Sequence, residues 1–129
     1  MTVSKIRRLG LIVASATLIA VSTLVPAAQE VVEIRIRGRY FSEPATIRIT
    51  VAVEPDAENR SLVIQADGDR LFRSSELALD GENGQRIHTV EFRNLPAGHY
   101  VVRAEVRSHA HIRGSDEQQF VVGHPGLER

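Results

Sequence analysis

His109 and His111 stand one residue apart, and Asp116 and Glu117 follow in the same stretch. Imidazoles and carboxylates at such spacing can ligate zinc or copper. The pattern is weak by itself, because a solvated loop of a net-acidic domain carries the same residues. Other chemistry finds less support. The chain has no cysteine, no His-Glu-x-x-His, no phosphate-cradling glycine loop and no serine in a strand-turn-helix nucleophile setting. Ser74, Ser75 and Glu76 have nothing beside them to activate a hydroxyl, and His88 and His99 stand apart. No catalytic residue, bound metal or cofactor is assigned, and the chain does not read as an enzyme.

What would position these side chains is a series of short strands. Asn94 to Val106 is the strongest stretch. A Pro/Gly turn feeds a strand in which Tyr100, Val102, Ala104 and Val106 alternate with Val101, Arg103 and Glu105, the period of a sheet with one buried face. Similar alternation marks Val31 to Arg37, Thr46 to Val53, Ser61 to Ala66, Phe72 to Leu79, Ile87 to Arg93 and Gln118 to Val122. Tyr40 to Pro44 reads as a break, and Asp67-Gly68 and Asp80 to Gly84 as turns. No convincing helix intervenes, so the expectation is an all-β, seven-stranded antiparallel sandwich.

The N-terminus carries a different signal. Lys5, Arg7 and Arg8 precede an uncharged run from Leu9 to Val25, and Pro26, Ala27 and Ala28 follow. That order of charged, apolar and small residues is that of a secretory signal peptide. Residues 1–28 are expected to be the signal, cleaved after Ala27 or Ala28, and residues 29–129 the mature domain, exported to the periplasm or beyond the cell. A membrane would be met only through an uncleaved signal. Removing it leaves 13 arginines against 16 acids. This balance argues against nucleic acid as a partner.

The run Leu95-x-x-x-x-Tyr100-x-Val102-x-Ala104-x-Val106 resembles the corner and following strand of fibronectin type III and related immunoglobulin-like domains. The resemblance implies a tyrosine corner at Tyr100 and Leu95, with the hydroxyl bonded to backbone in the preceding turn. It departs from those domains in having no tryptophan. It also implies that the loops after the second, fourth and sixth strands share one pole, gathering Asp56 and Glu58 with His109 and His111. These four are the candidate contacts for a ligand or partner.

The resulting expectation is an exported non-catalytic binding or structural module of the cell envelope, meeting another protein or an envelope component through that pole. The alternative is a small periplasmic copper or zinc carrier using the loop histidines. A copper-carrier family of similar architecture also ends in Gly-x-Tyr-x-Val before a histidine-bearing loop, although Gln29 and Glu30 stand where its N-terminal ligand would be. Arg35, Arg37, Arg48 and Arg93 form a basic stripe on outward positions, suited either to an anionic polysaccharide or lipid head group or to cross-strand ion pairs worth about 0.2–1 kcal/mol each. The second is the simpler reading. Val101 and Val121 also point outward, on strands of which the last is expected to be a sheet edge.

Overall fold

The computed structural model describes residues 31–125; the expected signal peptide, residues 1–28, lies outside them. The described residues form eight strands: β1 (Val32–Ile36), β2 (Tyr40–Ser42), β3 (Ala45–Val53), β4 (Ser61–Gly68), β5 (Phe72–Ala78), β6 (Ile87–Leu95), β7 (Gly98–Arg107) and β8 (Ile112–Gly123). They make a three-stranded sheet, β1-β3-β6, and a five-stranded sheet, β2-β8-β7-β4-β5. The all-β class is therefore observed, with a short 3-10 turn at Gly81–Asn83.

Alternation decides which residues meet between the sheets. Ile47, Ile49, Val51 and Val53 of β3 face Leu62, Ile64 and Ala66 of β4 and Tyr100, Val102, Ala104 and Val106 of β7 across one continuous core. Each is nearly inaccessible to solvent. Full burial of one such aliphatic side chain contributes about 1.5–3 kcal/mol, which is how the chain holds together without a disulfide.

Two expectations about the strands are corrected. The count is eight rather than seven, because Tyr40 to Ser42 pair in parallel with Val121 to Gly123 where a break was expected. Three residues are too few for a period of two to show. The sheet is thus not wholly antiparallel, and the last strand is no bare edge along its final residues. The second correction lengthens that strand to Ile112–Gly123, which moves Asp116 and Glu117 out of the loop and onto β8. Its inward positions there carry no apolar alternation. Gly114 lies so close to Val31 that a Cβ would stand 2.8 Å from the valine Cβ, and Asp116 accepts the Ile34 N–H at 2.8 Å. The carboxylate thereby covers the free edge of β1.

Candidate functional site

The loops after β3, β5 and β7 do converge at one end of the molecule. The Arg60 N–H donates to the Arg107 carbonyl and the Val53 N–H to the Arg86 carbonyl, while Gly81 approaches the Ala57 backbone. At the centre lies Asn59, buried to 1% exposure. Its Nδ2 donates to the Glu54 carbonyl at 3.0 Å and its Oδ1 accepts from Arg113 at 2.7 Å. That guanidinium also pairs with Asp56 at 3.3 Å, and Asp56 accepts the Glu58 N–H at 2.8 Å. Asp56 is therefore committed to the loop frame.

The histidines are committed separately. His109 Nε2 accepts from Arg60 Nε at 3.0 Å, whereas the His111 ring lies 3.4 Å from Ser108 Oγ. The Glu58 residue is exposed. His88 is half-buried with its ring nitrogen 2.9 Å from the Gln85 carbonyl, and His124 pairs with Glu43. Glu117 pairs with Arg103 across β7 and β8. Among the described residues no three His, Cys, Asp or Glu side chains are grouped to hold a metal ion.

The opposite end is built on Tyr100. Its hydroxyl donates to the Pro96 carbonyl at 2.6 Å, and its ring stacks on Phe120 with centroids 4.9 Å apart. Leu95 is buried beside it. Gly68 is required here, since a Cβ would lie 2.4 Å from the tyrosine ring. Burial, and then the charge of Asp69, push the Tyr100 hydroxyl above its ordinary pKa.

Between these ends a turn of three residues, Arg37 to Arg39, carries the chain from one sheet to the other. Gly38 takes φ +91 there, a conformation open to glycine at little cost. On one side of this turn, Arg35, Ile36 and Arg37 join Arg48 and Thr50 around a depression of about 380 Å³ on the outer face of the three-stranded sheet. Arg35 is held by Glu33 at 2.9 Å, and Arg48 by Glu91 at 2.9 Å. Glu91 also accepts from Arg93 at 3.1 Å. Hydrogen bonds from Arg48 and then Arg93 keep its carboxyl below the ordinary range. Most of the basic stripe is thus ion-paired, but the Arg37 side chain has no such partner among the described residues.

On the other side of the turn, Arg39 and Tyr40 line a cleft of about 220 Å³ with His99, Val101, Gln119 and Val121. Phe41 points inward and meets Phe120 edge-on, centroids 5.8 Å apart. Period two therefore turns Tyr40 outward, 82% exposed. The sequence reading missed this residue by taking Tyr40 to Pro44 as a break; the Tyr-Phe pair, one ring for each face, was the available signal.

No protein-family model matches the chain, and no curated protein does. Solved structures do. The superoxide reductase (neelaredoxin) of Ignicoccus hospitalis, and a variant of it, align with a TM-score of 0.57 over 73% of this chain and 81% of theirs at 14% identity. A Thermotoga maritima protein provisionally described as a superoxide reductase aligns with a TM-score of 0.55 over 74% of this chain and 88% of its own at 11% identity. The likeness is one of fold.

It corrects the immunoglobulin-like and fibronectin type III-like resemblance. A Leu-Pro-x-Gly-x-Tyr corner is a local solution for a chain crossing between two sheets, so it does not select one family of two-sheet folds. The same finding overturns the expectation of a non-catalytic binding or structural module, its copper- or zinc-carrier alternative, and the reading as no enzyme, because solved proteins of this fold are named as reductases. Missing contiguous motifs do not exclude chemistry, because a site assembled from separate strands leaves no motif.

Reduction of superoxide is a one-electron step that calls for a redox-active metal or cofactor. The described side chains do not fit a metal centre: there is no cysteine, and the histidines at 88, 99, 109, 111 and 124 are spread over both ends of the molecule, none of them in a group of three metal-ligating side chains.

Proposed function

We propose that the chain docks a polymer bearing oxyanions on the outer face of its three-stranded sheet, at the depression lined by Arg35, Arg37 and Arg48; this is a docking surface beside any reaction the fold carries, not a non-catalytic role for the whole chain. The observation that carries this reading is the lining itself, which holds three guanidiniums with Ile36 and Thr50, against two carboxylates at its border, Glu33 and Glu91. Glu33 and Glu91 hold Arg35 and Arg48 in place, which lowers the ordering cost of a further contact. Each guanidinium retains donors beyond those its partner uses. Arg37 supplies a charge that the ion pairs leave over.

Magnitude decides for a polymer. Exposed contacts of this kind contribute about 0.2–1 kcal/mol each, so three give at most about 3 kcal/mol, short of the ~4 kcal/mol behind a millimolar Kd. Repeated anions along one chain overcome that deficit through effective concentration.

The test is titration of the purified chain with polyphosphate at low salt. Binding should weaken as salt rises, and Arg37→Ala should weaken it about fivefold. Absence of binding, or equal binding by Arg37→Ala and Arg35→Ala variants, refutes the reading. Phosphatidylglycerol vesicles run in parallel separate a lipid source of the anion from a soluble polymer. Such ligands lie outside the cytoplasm for an exported protein, and the charged, apolar and small-residue order of residues 1–28 supports export. N-terminal sequencing of the chain recovered from the cell exterior or periplasm checks it: a mature chain starting at Ala28 or Gln29 is expected.

A further inference from the structure

Resting on the anion-binding reading, we infer that the polymer is an acidic polysaccharide and that Tyr40 stacks on one of its sugar rings. The two clefts flank a single turn. Arg37 belongs to the first and Arg39 and Tyr40 to the second, and the three steps from Arg37 to Tyr40 span at most about 11 Å. The first cleft opens on the three-stranded sheet and the second on the five-stranded sheet, so a chain lying over Arg48, Arg35 and Arg37 reaches Tyr40 by passing round the edge where the turn crosses, with Arg37 and Arg39 along that path.

The second cleft has the chemistry of a sugar site. A ring 82% exposed contributes little burial to folding, yet the face it stands on is fixed: Phe41 is anchored on Phe120, and Tyr40 pairs with Val121, which itself pairs with His99. Val101 and Val121 supply an apolar floor beside the ring. Arg39, His99 and Gln119 supply donors and acceptors around it. A pyranose ring has the complementary surface, with a face of C–H groups and a rim of hydroxyls. Neither cleft is lined by an acid, and the Arg39 side chain has no ion-pair partner among the described residues. Charge complementarity thus selects carboxylated or sulfated sugars over neutral ones.

The experiment titrates the purified chain and its Tyr40→Ala, Tyr40→Phe and Arg37→Ala variants with four probes: polygalacturonate, dextran sulfate, neutral dextran and polyphosphate. Polygalacturonate and dextran sulfate distinguish carboxylate from sulfate. The expected result is that at least one binds tighter than polyphosphate and that Tyr40→Ala weakens it about tenfold, the range of a lost stacking contact. Tyr40→Phe should keep the affinity, and polyphosphate binding should not respond to either Tyr40 variant. Arg37→Ala should weaken both kinds of probe. Unfolding curves of the Tyr40 variants should match the parent, because the ring is exposed.

Equal affinity for polyphosphate and both acidic polysaccharides, with no effect of Tyr40→Ala, overturns the sugar inference and leaves the anion site standing. Neutral dextran binding as tightly as the acidic polymers overturns its acidic part. Binding of none of the four probes removes the anion reading, and this inference with it.

Discussion

At the scale of single residues, Tyr100 shows how one hydroxyl fixes a corner. Its bond to the Pro96 carbonyl closes the turn that begins at Asn94, which takes φ 58. Tyr100→Phe keeps the stacked ring and removes only that bond, so urea unfolding should report a loss of about 1 kcal/mol. The residue was legible from sequence because turn and alternation stand side by side there. Gly68 was not, since Asp67-Gly68 reads as a hairpin turn, whereas its true role is to leave room for the tyrosine ring across the β4–β7 ladder. His109 and His111 were visible as residue types, but the partners that divide them, Arg60 and Ser108, are set only by tertiary placement.

Elements show the same division between alternating and non-alternating stretches. The strands with apolar period two were readable to within a residue or two; the first half of β8 was not, because its inward side meets the edge of β1 instead of the core. Asp116 makes that contact, and its effect can be measured. Asp116→Ala strands the half-buried Ile34 N–H, a loss of about 1–3 kcal/mol in urea unfolding. Asp116→Asn keeps an acceptor and should recover most of it. If the alanine variant unfolds with the parent, the edge is being covered by something else. β2 was hidden for a different reason: its partner lies about eighty residues away in sequence, and no local pattern announces such a pairing.

For the molecule as a whole, surface carboxylates tie stability to pH. The Ala97 N–H and then His124 hold the Glu43 carboxyl below its ordinary range, as Arg48 and Arg93 do for Glu91. Both groups have a lower pKa folded than unfolded, so the unfolded chain takes up their protons first as pH falls. Their contribution is complete above the ordinary glutamate pKa of about 4.3 and disappears as pH drops through the depressed folded values. Thermal melts should therefore hold level from neutrality to about pH 5 and decline below about pH 4. A Glu43→Gln, Glu91→Gln double variant should show a shallower decline. The parallel pairing of Tyr40 with Val121 also sets a timetable for synthesis. Its two partners come from opposite ends of the described chain, and pairings of such long range form late. A ribosome must finish nearly the whole polypeptide before the wall of the Tyr40 cleft can be laid down. A chain truncated after β7 would bring Tyr40 out with nothing to lean on, so competence to bind would arrive only with completion of the C-terminal strand.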